Sequence, residues 1–255
     1  MARRRPVSHE DRLTLVEHLD ELRSRIIFTV TALAAAFALC FWQQQRLFDI
    51  ATAALPDNVE LTTLGVTEPL FTTLTVAGYG AVVLCLPILF YQLYAFVIPA
   101  FTHTERRVLI PYMLAMPLLF VGGILFAYFI VMPAAIYFLV NYNTGTFNIL
   151  VQASSFMSFF GLTLVALALC FQLPIVLLSL CRLGVVTPDQ LAHNRRYAIF
   201  VISVVAAALP GGDPVSMILI MIPLVLLYEA SVVLARRFGY SKEVALAPPA
   251  AEGSG

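Results

Sequence analysis

The chain has 255 residues, of which 60% are hydrophobic and only 12% are charged, and its 15 Lys and Arg balance its 15 Asp and Glu. A soluble domain usually carries about 25% charged residues, so an ordinary soluble domain is excluded. Long apolar stretches recur along the chain, and only helices or closed barrels satisfy their backbone in a bilayer. Alternating ten-residue strands are missing from the sequence, which therefore predicts an all-α integral membrane protein.

Six membrane-spanning helices are predicted from the apolar stretches. They lie near residues 26–42, 70–97, 108–138, 156–181, 197–209 and 215–235. Residues 1–25 are accordingly expected to form an amphipathic N-terminal segment, residues 26–235 a transmembrane domain and residues 236–255 a disordered tail. The polar, mixed-charge N-terminus is not expected to be a cleavable signal peptide.

The positions of the basic residues predict the orientation of the chain. All but one of the 15 Lys and Arg residues lie in the terminal segments or in every second gap between spans, and the other gaps contain only Arg46. Because basic loops stay on the cytoplasmic side, both termini are predicted to be cytoplasmic. The first outer loop, about residues 43–69, is long enough to form a cap.

The segment before the first span carries a cluster of acidic residues. Residues 8–25 are predicted to form an amphipathic helix that leads directly into that span. Glu17, Asp20 and Glu21 project from the face opposite its leucines, and three carboxylates so close together form a candidate cation site. The alternative is a solvated face with internal ion pairs, such as Glu21 with Arg25 four residues on.

Several spans depart from a plain 20-residue helix. No charge interrupts residues 108–140, so the third span is expected to tilt, kink or extend past the membrane. The fifth span has only about 13 apolar residues, roughly 20 Å against a hydrocarbon core of about 30 Å. Prolines within the spans are expected to kink their helices rather than break them, which suits a concave scaffold, although ordinary transmembrane proline usage explains any one of them equally well. They are Pro87, Pro111, Pro117, Pro133, Pro174 and Pro223.

The first inner loop contains Glu105, the only acid between Glu68 and Asp189. Thr102 and Glu105 have the spacing of a capping box for the third span, which gives the carboxylate a structural role. A capping carboxylate keeps spare lone pairs, so it can also bind a partner. Spacing alone leaves both roles open.

Polar residues in or near the last three spans have structural and functional interpretations. Gln172 can form a hydrogen bond between helices or contact a partner subunit. Asp213 precedes Pro214 and can cap the sixth span, or serve a function. Glu229 lies near the cytoplasmic end and is predicted to form a structural pair with Arg236 or to reach the membrane interface.

The cysteines show neither metal nor redox spacing and are predicted to be buried small apolar residues. They are Cys40, Cys85, Cys170 and Cys181. No cofactor, metal or nucleic-acid partner is expected.

Three other classes of membrane protein have apolar helices of this kind. A proton-coupled secondary transporter usually places ionisable residues at the midplane, but the span interiors hold almost none and the sequence shows no internal repeat. An intramembrane enzyme needs a catalytic constellation, and no histidine lies in a span to serve a nucleophile. A purely structural scaffold has no need of the acidic clusters, but can carry them by chance.

The chain resembles the TatC family, the polytopic subunit of the twin-arginine protein translocase. The resemblance begins at His18–Arg25, which matches the family's HLxELRxR pattern, and covers nearly the whole chain in order. Further matches are Pro87 with Tyr91–Phe96, Pro99–Phe101, Glu105–Arg107, Phe126–Phe129 with Pro133, Phe171–Pro174, and Asp213 in a tight outer turn.

The resemblance implies a receptor for signal peptides that carry paired arginines, in a bacterial plasma (inner) membrane. It places the arginine site on Glu21 and Glu105, with Arg23 and Phe96 positioning these acids and with Glu17 and Asp20 nearby. Guanidinium pairs bidentately with carboxylate, which explains a preference for Arg over Lys. It further implies single-span TatA- and TatB-like subunits, further copies of this chain and the lipid bilayer as partners, and the proton gradient as the energy source.

Two positions depart from the family's pattern. The family commonly has Glu where this chain has Gln172, so a mechanism that needs a carboxylate there is in doubt. Family members also often have proline near Ala53, whereas the nearest one here is Pro56. Partner subunits are expected along the short fifth span and near Gln172 and Asp213.

Overall fold

The computed structural model describes residues 9–56, 59–97, 103–142, 150–182, 184–208 and 214–238. Within these ranges the chain is almost entirely helical. The helices are α1 (His9–Trp42), α2 (Gln44–Thr52), α3 (Glu68–Val97), α4 (His103–Phe126), α5 (Met132–Asn141), α6 (Ala153–Cys170), α7 (Leu173–Arg182), α8 (Pro188–His193), α9 (Arg195–Ala208) and α10 (Pro214–Phe238). A π-helical segment (Ala127–Val131) joins α4 to α5, and two short strands are β1 (Leu61–Thr62) and β2 (Val151–Gln152).

Five helical stretches in the described ranges are long and apolar enough to cross a membrane, which confirms the predicted fold class. They are Asp20–Trp42, Glu68–Gln92, Ala115–Asn141, Ala153–Arg182 and Pro214–Arg237. The predicted fifth span corresponds to α9, which has 14 residues and is therefore roughly 21 Å long. Its shortness is confirmed, while the count of six spans stays a prediction.

The N-terminal helix enters the first span without interruption, as predicted. α1 is one helix of 34 residues, so the acidic cluster and the apolar stretch belong to the same rigid rod. α1 packs chiefly on α3. Only 6% of its apolar window is buried, against 44% for the window that α6 and α7 share. α1 therefore lies at the periphery, and α6 and α7 lie at the centre.

The third span is long and irregular, as predicted from its uninterrupted apolar stretch. α4, the π-helical segment and α5 follow one another directly from His103 to Asn141. Pro133 stands at the start of α5. It lacks an N–H group, and its ring crowds the carbonyl four residues earlier, at Phe129 inside the π segment. The wider π turn accommodates this crowding.

Near Pro174 the helical stretch Ala153–Arg182 is interrupted by a short turn. α6 ends at Cys170, four residues before Pro174, and α7 begins at Leu173. The two intervening residues form a turn, in which the N–H of Gln172 donates to the carbonyl of Leu169 at 2.9 Å. Pro87 and Pro223, by contrast, lie inside the continuous helices α3 and α10. The fourth span is therefore two helices joined at a turn.

The core consists of apolar contacts that α6 makes on several sides. On one side Leu167 packs in a cluster with Ile202 of α9, Leu224 of α10 and Val131 of the π segment. On another, Met157 packs with residues of α2, α3 and α5. The central position of α6 explains why its apolar residues are buried on more than one face.

A small cap covers one end of the helices, as the length of residues 43–69 predicts. It comprises α2, β1 and β2, and the two strands pair in parallel with Leu61 opposite Val151. The hydroxyl of Thr62 also donates to the carbonyl of Val151 at 3.2 Å. Glu68, the first residue of α3, accepts a 2.7 Å hydrogen bond from the hydroxyl of Ser154 in α6. Two segments far apart in sequence thus close the cap.

Candidate functional site

The ion pair between Glu21 and Arg25, which belongs to the alternative of a solvated face with internal pairs, is present in the structure. Arg25 donates twice to a single carboxylate oxygen, Oε1 of Glu21, from Nη2 at 2.6 Å and from Nε at 3.0 Å. The side chains are 37% exposed for Glu21 and 23% for Arg25. The pair is therefore half-buried at the point where α1 enters the first span.

Gln92 extends this pair to α3. Nη1 of Arg25 donates to Oε1 of Gln92 at 2.8 Å, so one guanidinium bridges two helices. Gln92 had no predicted role, although it lies within the motif Tyr91–Phe96 that resembles the family. The feature that could have identified Gln92 is its position as a polar residue among the apolar residues of this stretch.

Two neighbouring predicted site residues, Asp20 and Arg23, form no hydrogen bond with the described side chains of this network. Asp20 and Arg23 are exposed, and neither forms an ion pair with another side chain that the structure describes. The expectation that Arg23 positions the acids therefore stays a prediction. Of the described cluster, only Glu21 has its carboxylate held in a defined place.

Three further predicted site residues lie in helices, but their side chains fall outside the described part of the structure. Glu17 belongs to α1, Phe96 is the next-to-last residue of α3, and Glu105 lies in the first turn of α4. Thr102, the partner of Glu105 in the expected capping box, lies outside the described residues. The structure therefore places the backbone of Glu17 within α1 and the backbones of Phe96 and Glu105 near helix ends, and it leaves their side-chain roles as predictions.

Gln172 lies at the turn between α6 and α7 and is 3% exposed. Its Nε2 donates to the carbonyl of Met116 in α4 at 3.3 Å, which confirms the predicted hydrogen bond between helices. Its Oε1 is buried without a partner among the described residues. This amide thus points into the packing between helices and not toward the surface.

Asp213, the predicted cap of the sixth span, lies outside the described residues. α10 begins at Pro214, the first position of a helix that proline favours. The predicted helix start is therefore confirmed, and the role of Asp213 stays a prediction.

Glu229 forms a structural ion pair, but with a different arginine from the one considered. Its Oε2 lies 2.9 Å from Nη2 of Arg195 at the start of α9. Arg236 instead approaches Asp189 of α8 at 3.7 Å. One contact joins α10 to the first residue of α9, and the other joins α10 to α8.

The cysteines confirm their predicted character in part. Cys40, Cys85 and Cys181 are buried, Cys170 is half-buried, and all four are free thiols. Within the described ranges no group of His, Cys, Asp or Glu has the arrangement of a metal site.

An apolar cavity of about 420 Å³ lies beneath the cap. α2, α3, the π segment and α6 form its walls, and its only polar side chains are Tyr79 and Tyr128. The hydroxyl of Tyr128 donates to the carbonyl of Ile50 in α2 at 3.0 Å. The cavity thus offers no charged group to an ionic ligand, in contrast to the Glu21 network at the opposite end of α3.

Comparison with known proteins gives a consistent family. The sequence model of the family described as Sec-independent protein translocase protein (TatC) matches residues 17–223. The TatC protein of Desulforapulum autotrophicum is 34% identical over 238 residues, which cover 92% of this chain and 88% of that protein. The TatC protein of Aquifex aeolicus is 37% identical over 231 residues, which cover 88% of this chain and 95% of that protein.

The fold agrees with a solved structure as well. A crystal structure named as the twin arginine translocase receptor TatC superposes with a TM-score of 0.79 and 36% identity, covering 88% of this chain and 100% of that one. The sequence match spans most of the predicted membrane domain, and the structural match includes the arrangement of its helices. The chain therefore belongs to the TatC family and is a membrane component of the Sec-independent protein translocase, a transport subunit and not an enzyme.

Proposed function

We propose that this chain is the subunit of the translocase that binds twin-arginine signal peptides of folded proteins at the cytoplasmic face. The carboxylates of Glu21 and Glu105 bind the two arginines. The solved relative is named a receptor, which supports this role.

The observation that carries the proposal is the state of Glu21. Its carboxylate already binds one guanidinium, through Nε and Nη2 of Arg25, and it remains 37% exposed. A carboxylate that binds a guanidinium from its own chain has the geometry to bind one from a peptide. Because lysine offers a point charge without the planar fork, such a site favours Arg over Lys.

The neighbouring residues complete the proposed site. Glu105 supplies the second carboxylate from the start of α4, and Glu17 and Asp20 add negative charge that attracts a cationic peptide. Arg23 and Phe96 position the acids.

Partner subunits belong to the same proposal. α9 is shorter than the hydrocarbon core of about 30 Å and exposes apolar side chains, among them Phe200, which is 67% exposed. Single-span TatA- and TatB-like subunits pack along this helix, further copies of the chain assemble in the receptor complex, and the proton gradient drives transport. Gln172 is buried, so it affects the contact with a partner subunit indirectly, by holding α7 in its packing. Asp213, in the outer turn, contacts a partner subunit directly. Site-specific crosslinking from α9 that captures no such subunit would contradict this arrangement.

The proposal includes a location and an orientation in the membrane. The chain is a multi-pass protein of a bacterial plasma (inner) membrane, with both termini in the cytoplasm.

Binding of a labelled signal peptide to the purified protein in detergent tests the receptor role. Arg-Arg and Lys-Lys peptides are titrated against the wild type, Glu21→Gln and Glu105→Gln. Loss of one charge-assisted hydrogen bond is worth about 1.5–3 kcal/mol, so each substitution is expected to weaken Arg-Arg binding roughly ten- to a hundredfold and to reduce the preference over Lys-Lys.

Glu60→Gln is the matched control, since Glu60 is an exposed acid of the cap with no ion pair in the described ranges. It removes one carboxylate and is expected to leave binding unchanged. If Glu21→Gln and Glu105→Gln both bind like this control, the acids are not the arginine site.

A further inference from the structure

The two oxygens of the Glu21 carboxylate differ in the hydrogen bonds that they accept. The two hydrogen bonds that Arg25 donates to Glu21 both end on Oε1, and Oε2 accepts none from the described residues. A guanidinium that binds a carboxylate in the bidentate fork needs both oxygens, one for each parallel N–H bond. The fork on Glu21 is therefore blocked as long as Arg25 stays on Oε1.

A second guanidinium does not fit well beside the first. An incoming arginine that took Oε2 alone would make a single contact and would place two like charges on one carboxylate, where they repel. The favourable arrangement is an exchange, in which the incoming arginine takes both oxygens and Arg25 leaves.

We propose that Arg25 is a tethered competitor that occupies the arginine site of Glu21 until a signal peptide displaces it. This inference rests on the proposed function, since it concerns the regulation of the same site. Gln92 gives the displaced guanidinium a second anchor, because its Oε1 already accepts from Nη1 of Arg25 at 2.8 Å. Arg25 can thus leave Glu21 without losing all of its hydrogen bonds and can return when the peptide departs.

The expected effect on affinity follows from competition. Pairs at this spacing on exposed helices favour the paired state about twofold, and a charge-assisted hydrogen bond at the weak end of its range favours it roughly tenfold. A tethered competitor lowers the apparent affinity for the peptide by a factor of one plus the equilibrium constant for its own pairing. Removing Arg25 from the site should therefore raise peptide affinity about three- to tenfold.

The experiment measures binding of the Arg-Arg peptide to the full chain in detergent, with Arg25→Gln and Arg25→Lys. Arg25→Gln removes the competitor and is expected to bind about three- to tenfold more tightly. Arg25→Lys keeps the positive charge but loses the fork, so it competes less well and gives a smaller gain. Arg237→Gln is the control for charge, because it removes an exposed arginine from the last turn of α10.

A double-mutant cycle with Glu21→Gln separates this inference from the receptor role. If Glu21→Gln weakens binding, and Arg25→Gln raises affinity only where Glu21 is present, Arg25 competes at that carboxylate. If Glu21→Gln weakens binding but Arg25→Gln and Arg25→Lys leave affinity unchanged or lower it, Arg25 holds Glu21 in place and the competitor is overturned. The third outcome is a gain in affinity in Arg25→Gln that is matched by Arg237→Gln and missing in Arg25→Lys. Such a gain comes from the change in net charge and also overturns the competitor. If Glu21→Gln binds like the wild type, the site itself is wrong.

Discussion

A single carboxylate, that of Glu68, ties the cap to the membrane helices. Its Oε2 accepts from the backbone N–H of Leu64 at 2.7 Å and of Gly65 at 3.3 Å. Its Oε1 accepts from the hydroxyl of Ser154 at 2.7 Å and from the backbone N–H of the same residue at 3.3 Å. Because that N–H lies in the first turn of α6, one side chain at the start of α3 also satisfies the start of another helix.

Glu68→Gln is expected to loosen the cap. An amide offers one acceptor oxygen and presents N–H groups to the other donors, so half of these hydrogen bonds are lost. We expect the midpoint of thermal unfolding in detergent to fall by about 2–4 °C, and amide hydrogen exchange at Leu64 and Ser154 to become faster. Glu60→Gln, in the same loop, is the control, and equal shifts in the two variants would contradict the role of Glu68.

Residue pairs were predictable from sequence only where they are close in the chain. Glu21 and Arg25 lie four apart on one helix, and that spacing predicted their contact. Gln92 lies 67 residues from Arg25, and no local pattern brings those two together. Glu229 was expected to pair structurally, but its partner, Arg195, depends on how α9 packs on α10, which the sequence alone does not reveal.

At the scale of elements, α3 and α6 approach closely because α6 has a glycine at their contact. A Cβ atom added to Gly161 would overlap Cγ and Cδ2 of the Tyr79 ring. Small residues commonly let membrane helices approach in this way, since van der Waals packing stabilises their association. The same contact forms part of the wall of the apolar cavity.

Gly161→Ala is expected to destabilise the protein. The added methyl group must push the Tyr79 ring away, and overpacking of this kind costs about 1–3 kcal/mol. Chemical unfolding in mixed micelles measures the change. Gly122→Ala in α4 is the matched control, because nothing lies within 4 Å of its added Cβ. A Gly161→Ala protein as stable as Gly122→Ala would show that the two helices do not meet there.

The helices themselves were largely predictable, whereas the form that each irregularity takes was not. The apolar stretches predicted each long helix to within a few residues, because a bilayer requires backbone hydrogen bonds to close within the helix. Prolines marked the candidate irregular sites, but the local structure differs among them. Pro133 follows a π segment, Pro174 follows the turn between α6 and α7, and Pro87 lies in a continuous helix. Which outcome occurs depends on the neighbouring helices. The pairing of β1 with β2 joins loops about 90 residues apart, which no local pattern reveals.

At the scale of the whole molecule, the two ends of the helices differ in chemistry. One end carries the cap and the Glu68 network. The other carries most of the described arginines, where Arg195 pairs with Glu229 and Arg236 approaches Asp189. The hydroxyl of Tyr228 also donates to the carbonyl of Leu191 at 2.7 Å, which fixes α10 against α8. This separation agrees with the basic loops that predicted the orientation.

That orientation gives a prediction for the whole chain, which single introduced cysteines can test in a background where the four native cysteines are replaced. Glu60→Cys lies in the cap segment and Asn194→Cys beside Arg195, and both positions are exposed. In right-side-out membrane vesicles, a membrane-impermeant maleimide is expected to label Glu60→Cys at once and Asn194→Cys only after the membrane is opened, since basic segments stay on the cytoplasmic side. Inside-out vesicles should reverse the result, and the cysteine-free parent should not be labelled. Labelling of Asn194→Cys in intact right-side-out vesicles would place the arginine-rich end outside the cell, where the proposed peptide site on Glu21 could not meet a signal peptide before transport.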